Sequence, residues 1–361
     1  MAPKARTAKK RPRLPVIKGR VPHVAIRLTR GGILESTHFA SVAAWQGGRT
    51  IFAVGDTRRP VFLRSSAKPF QALAFVLSGA ADRFGATEEE LAVVCASHGA
   101  EEVHLAAVRS LQAKGGVGPG ALRCGSHPPA CTRAAVELAR AGGKPSALHN
   151  NCSGKHTGMV LTAKHMGAPL GTYLEPDHPL QVANRRNLAI FAGMDPADIV
   201  LGVDGCSAPN FALPLENEAA AFARLAAPDA SLPPAHAAAA RRIAAAMMAH
   251  PRVVAWKGEG DAALMGAAPG RIVSKLGAEG VQCLGVPARG LGIALKVEDG
   301  AARPRLPLTV ALLRAAGVLT AAEAARVGAP ADTILRNHRG IEVGRMEFTL
   351  PAAVEALRPG R

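Results

Sequence analysis

The chain predicts a mixed α/β (α+β) fold in which an antiparallel sheet is flanked by helices. Strand-like runs lie at both ends, helical patterns fill the middle, and glycine-bearing connections join the first strands. With 361 residues and 48% hydrophobic content, the chain can bury a sizeable core.

The elements follow in order. Residues 23–28, 40–45 and 51–54 read as strands of a meander that ends at a polar turn near Arg64. Helical periodicity covers about 68–77, 101–113, 132–141, 154–166 and 179–191. Residues 199–204 read as a buried strand with a polar tip, and 234–250 as an alanine-rich helix between prolines. Residues 290–297 give a late strand, closed by the turn Glu298-Asp299-Gly300. No internal repeat is present. Residues 1–20 read as a basic arm, 228–234 as a linker candidate, and 21–361 as a single domain.

The net charge of +17 is uneven. Eight basic residues and no acid lie in 1–20, which leaves +9 for the rest. Such an arm is read as a solvated, disordered tail in preference to a nucleic-acid or membrane contact. One Tyr and two Trp argue against a base-stacking surface. No apolar run follows the arm or reaches membrane-spanning length, so the expected location is cytoplasmic. Six irregularly spaced cysteines do not form a disulfide pattern, and Cys95 and Cys283 sit in apolar runs as core filler.

Chemistry concentrates first at Arg64-Ser65-Ser66-Ala67-Lys68-Pro69. Ser65 and Lys68 are three apart at the start of a helix, so they share a face. A serine hydroxyl needs a neighbouring base, and a lysine serves if burial or a second cation keeps it neutral. The bland reading is a capping serine and a solvated lysine on an ordinary first turn. Ser97 ends another apolar run, and Ser274-Lys275-Leu276-Gly277 closes a third. The order Ser-x-x-Lys, Ser-polar, Lys-x-Gly is similar to the layout of serine β-lactamases and penicillin-binding proteins. The second element lacks its Asn, and Leu276 stands where Ser or Thr is expected.

The stretch from His149 to Gly158, His-Asn-Asn-Cys-Ser-Gly-Lys-His-Thr-Gly, is the densest in reactive groups. It reads as a loop entering a helix near Lys155, with backbone N–H groups facing an anion. Asp204-Gly205-Cys206 offers a second thiol at a strand tip. Cys152 and Cys206 with a nitrogen donor suit Zn²⁺, with Asp204 orienting a ligand from behind; unrelated buried thiols are the alternative. His149 and His156 read as hydrogen-bonding groups for loop or substrate.

Together these pieces resemble the bacterial L-asparaginase II family of rhizobial type. The matching stretches are Thr29-Arg30-Gly31-Gly32, Glu35-Ser36-Thr37-His38, the Ser65–Lys68 and Ser97 segments, His149 to His156 and His178-Pro179-Leu180-Gln181. Asp204 to Pro209, Met248-Ala249-His250-Pro251, Ser274 to Gly280 and Gly292 to Lys296 complete the series. The resemblance implies a fold similar to serine β-lactamases and glutaminases, hydrolysis of L-asparagine to L-aspartate and ammonia, and a homodimer. It implies two Ser–Lys tandems, Ser65 with Lys68 and Ser97 with Lys275, and one Zn²⁺ per subunit on Cys152, Lys155 and Cys206. In that scheme Ser65 attacks with Lys68 as base, Ser97 and Lys275 relay protons, and Arg64, Asn150, Asn151 and His156 hold the substrate. The same residue types would also serve another amide, whether glutamine, a β-lactam or a peptide. Ala255-Trp256-Lys257-Gly258-Glu259 departs from the family's glycine-rich turn, which places a bulky Trp256 near a site wall.

Overall fold

The computed structural model describes residues 24–328 and 332–359. The basic arm and His23 lie outside the described residues. The strands are β1 (Val24–Arg30), β2 (Ile33–Gln46), β3 (Arg49–Val54), β4 (Pro60–Phe62), β5 (Val200–Val203) and β6 (Pro209–Pro214). The later ones are β7 (Val273–Gly277), β8 (Val281–Val286), β9 (Leu291–Val297), β10 (Ile334–Arg336) and β11 (Glu342–Thr349). Helices α1 (Lys68–Leu77), α2 (Ala80–Arg83), α3 (Glu88–Val94), α4 (Glu102–Lys114), α5 (Thr132–Arg140) and α6 (Ser153–His165) form the first run. There follow α7 (Pro179–Ala192), α8 (Leu215–Ala226), α9 (Pro234–Ala249) and α10 (Pro251–Val254). The last are α11 (Gly260–Ala267), α12 (Arg305–Ala315) and α13 (Ala321–Val327).

The main sheet runs β10-β11-β1-β2-β9-β8-β7, with β3 also paired to β2, and every pairing is antiparallel. Strands from both chain ends thus meet in one sheet, as the sequence predicts. Side-chain alternation divides it into two faces. Val42, Ala44, Ile293 and Leu295 pack with α11 and α12 on one side. Ala43, Cys283 and Ala294 face the larger helical layer that includes α1, α3, α7, α8 and α9. Lys275 is paired with Cys283, and Cys283 with Ala294. The row Lys275, Cys283, Ala294 therefore points toward the helices that follow Ser65.

A second, three-stranded sheet, β4-β6-β5, departs from the sequence reading. Its strand β5 was expected to be buried, yet Val200 is 51% and Val203 79% exposed. An apolar run marks strand propensity and leaves open which side meets water. The sheet's task is local: Leu63 N–H donates to Phe211 O of β6 (3.0 Å), which anchors the chain just before Ser65. Residues 228–234 join α8 to α9, which pack against each other.

Candidate active site

The turn that carries Ser65 is a 3-10 helix, Arg64–Ala67, running into α1. Arg64 has φ of 53°, left-handed for a residue with a side chain. Its N–H donates to Asn210 Oδ1 (3.1 Å) and its Nε to Asp204 Oδ1 (2.7 Å), which hold the turn from two sides. The Ser66 N–H and Oγ are both spent on Leu63 O. Strand β7 closes the turn from the sheet side. A Cβ on Gly277 would come 2.3 Å from Leu63 O, so only glycine allows this approach.

Ser65 is half-buried and faces the cavity described below, while Lys68 behind it is 1% exposed. Lys68 Nζ donates to Ala96 O (2.6 Å), Ser97 Oγ (2.9 Å) and Asn151 O (3.3 Å). Its hydroxyl partner is therefore Ser97, and Ser65, expected as the other member of its tandem, is not among these three acceptors. Burial is the main cause that lowers Lys68 from 10.5 to about 8. The Cys152 sulfur opposes that shift, and Lys275 and Lys155 reinforce it. Lys275 pairs differently from the tandem expected with Ser97: its Nζ donates to Asp261 Oδ2 (3.0 Å) and Leu276 O (3.4 Å).

Ser97 sits in the segment after α3, with its N–H on Val254 O (3.0 Å). His98 N–H donates to Asn151 O (3.2 Å), and the His98 ring bridges Ala100 N–H (3.2 Å) and Ser153 Oγ (2.8 Å). This stitches the Ser97 loop to the loop before α6. Burial holds His98 well below the usual histidine range, so its ring is neutral. Gly154 lets α6 approach α3, since a Cβ there would lie 2.1 Å from Val93 O. Trp256 lies against Gly99, two residues beyond Ser97, and is a neighbour of the Ser97 loop.

Cys152, Lys155 and Cys206 converge below the turn, all buried. Lys155 Nζ is 2.9 Å from Cys206 Sγ, and Cys206 Sγ is 3.8 Å from Asp204 Oδ2. A hydrogen bond from Cys206 holds the Cys152 thiol well below its usual range against burial, and the same bond raises Cys206. Burial lowers the Lys155 amine, but the two sulfurs outweigh it and keep it protonated. Two sulfurs and a nitrogen are a donor set that zinc accepts once the Lys155 amine gives up its proton to free a lone pair. Among the described residues no three His, Cys, Asp or Glu gather at metal-binding range, so a metal here requires Lys155 as third donor.

A cavity of about 200 Å³ is lined by Arg64, Ser65, His127, Asn150, Asn151, Cys152, Asp204, Gly205, Cys206 and Ala278. Of the residues expected to hold substrate, Arg64, Asn150 and Asn151 reach it. The Asn150 amide is committed to Cys124 O (2.9 Å), Gly125 O (3.2 Å) and Cys152 N (2.9 Å), so it braces the loop. His156 stands behind Cys206, fully buried, with Nδ1 2.7 Å from Tyr173 Oη. His127 on the wall and Asp261 under Lys275 escaped the sequence reading. Asp261 has one sequence-level signal, an acid inside the apolar run Gly260-Asp261-Ala262-Ala263-Leu264-Met265. A larger cleft of about 790 Å³ near Arg30 and Arg336 contains none of the serines or lysines above.

Among the described residues, the non-glycine positions with left-handed backbone are Arg64, Ala100, Ser207 and Glu279. Each lies next to or within three residues of Ser65, Ser97, Cys206 or the cavity wall at Ala278. Strain of this kind gathers where surrounding structure over-determines a geometry that function requires.

A serine on a polar cavity, backed by buried amines, is the equipment of a hydrolase that passes an acyl group through serine. Residues 26–348 match the family described as L-asparaginase II, and the chain belongs to that family. No curated protein matches it. Among solved structures, native Mglu is similar at 14% identity and a TM-score of 0.41, covering 76% of this chain and 63% of its own. A putative beta-lactamase from Bacteroides dorei DSM 17855 is similar at 16% identity and a TM-score of 0.35, covering 81% and 94%. The chain thus spans less than two thirds of the Mglu chain.

Proposed function

We propose that the protein hydrolyses L-asparagine to L-aspartate and ammonia through an ester on Ser65. The observation that carries this is the Ser65 hydroxyl on a small cavity bearing both an Arg64 guanidinium and an Asp204 carboxylate. Opposite charges 2.7 Å apart suit the carboxylate and ammonium ends of one amino acid. A cavity near 200 Å³ favours a small amide over a peptide.

Ser65 Oγ attacks the side-chain carbonyl carbon as its proton passes to Lys68. The C–N bond then breaks, and the proton reaches the leaving nitrogen by way of Ser97, so ammonia departs. Water adds to the ester along the same route in reverse, releasing aspartate and restoring the hydroxyl. Cys152, Lys155 and Cys206 would hold one Zn²⁺ per subunit, with Asp204 beside Cys206. The ion would supply a fixed positive charge that helps position the substrate. Homodimer formation, expected from the family, belongs to the same proposal.

The test is ammonia release over a panel of asparagine, glutamine and small peptides, with a chromogenic β-lactam alongside, each with and without added zinc. Turnover of asparagine that disappears in Ser65→Ala supports the reading. Hydrolysis confined to another amide would reassign the substrate, and full activity in Ser65→Ala would end the mechanism.

A further inference from the structure

Two buried lysines stand near the serines, and their surroundings differ in kind. The Lys68 amine meets only neutral acceptors, two carbonyl oxygens and the Ser97 hydroxyl. The Lys275 amine meets a carboxylate, Asp261, and both side chains are wholly buried. We propose that Asp261 is a positioning residue of the hydrolytic site, fixing Lys275 as an immobile cation and leaving Lys68 to carry protons for both Ser65 and Ser97. The inference rests on the amidohydrolase reading and deepens it.

The geometry around Asp261 is that of a carboxylate with its acceptor sites filled. Oδ1 accepts from Ser274 Oγ (2.8 Å) and Gln282 Nε2 (3.0 Å). Oδ2 accepts from Lys275 Nζ (3.0 Å) and Leu276 N–H (3.0 Å). A group that accepts four hydrogen bonds is ionised, and no lone pair is left to receive a proton from Lys275. Burial raises the Asp261 carboxyl, but Lys275, the Leu276 N–H, Gln282 and Arg305 outweigh it and hold it below the usual range.

The brace extends outward, so the carboxylate cannot follow a moving amine. Gln282 Oε1 accepts from Arg305 Nη1 (3.3 Å), and Arg305 Nη2 donates to Glu259 Oε1 (2.9 Å). The fold explains how one acid reaches both Ser274 and Lys275, which point to opposite faces. Strand β7 is the last of the sheet, and Asp261 stands beyond that edge, where it also takes the outward N–H of Leu276. From there Lys275 acts on Lys68 by charge alone. Removing the positive charge from a wholly buried pair leaves the carboxylate alone, so loss of the Lys275 proton is strongly opposed.

The experiment compares Asp261→Asn, Lys275→Met, the double variant and Lys275→Arg by ammonia release, with circular dichroism as a check on folding. Asp261→Asn is expected to lower kcat by about 10–100-fold with KM little changed, because neither residue lines the cavity. The double variant, which leaves no buried charge unpaired, is expected to match Lys275→Met, since Asp261 acts only through Lys275. Lys275→Arg, a cation that cannot release its proton, is expected to retain more activity than Lys275→Met. Losses that multiply in the double variant, or folded Lys275→Arg as inactive as Lys275→Met, would overturn the proposal. An inactive wild type is a separate result, which would remove the asparagine reading and move the comparison to whichever amide is cleaved.

Discussion

At the residue scale, the proposed chemistry turns on Lys68. An ordinary lysine at neutral pH is almost wholly protonated and cannot take a proton from serine. Lowered to about 8, the amine is neutral in a useful fraction, and the neutral form grows as pH rises. Turnover should therefore climb through about pH 8 and level above it; a profile flat from pH 6 to 9 would remove Lys68 as base. Lys68→Ala should cost roughly 10²–10⁴ in kcat with the fold retained. Ala100 tests the strain beside the serine loop. Its left-handed backbone costs about 1–2 kcal/mol, and glycine's extra chain entropy costs about 0.5–1 kcal/mol. Ala100→Gly should thus raise stability slightly, by less than about 1 kcal/mol, as read by denaturant midpoint.

At the element scale, the site is a meeting of three loops and a strand edge, each held by backbone contacts. Gly154 is the tightest of these, and Gly154→Ala should cost about 1–3 kcal/mol of stability by forcing α6 off Val93. An unchanged thermal midpoint would mean that α6 has room to shift. Most helices were legible because their apolar period is local: the patterns at 68–77, 132–141 and 179–191 match α1, α5 and α7 within a residue or so. Strand β2 begins at Ile33, well before the expected 40, because Glu35, Ser36, Thr37 and His38 break the apolar pattern on an exposed stretch. The grouping of Ser65, Ser97 and Lys275 was legible as motifs. Their hydrogen-bonding pairs were not, because Asp261 carries no motif and draws Lys275 away through a contact fourteen residues distant.

At the scale of the whole molecule, the chain separates charge from chemistry. The arm of residues 1–20 holds eight basic groups, whereas the serines, lysines and thiols lie between 64 and 283. Deleting the arm should leave ammonia release unchanged while removing any salt-sensitive affinity for polyanions. Elemental analysis of protein purified without chelator should find about one zinc per chain, lost in Cys206→Ser. Metal-free protein with full activity would confine the thiols to packing. Among the described residues no helix is long and apolar enough to cross a membrane.

The hairpin between β7 and β8 sets which way Lys275 points. Gly277 pairs with Val281 across the three residues Ala278, Glu279 and Gly280, and that spacing aligns Lys275 with Cys283. Because a strand turns successive side chains to opposite sides, a slip of one residue in the pairing of β7 with β8 would turn every side chain of β7 to the other face. The amine would then be aimed at the far layer, and Ser274 or Leu276 would take its place. Chemistry that involves this amine therefore depends on the register this hairpin holds.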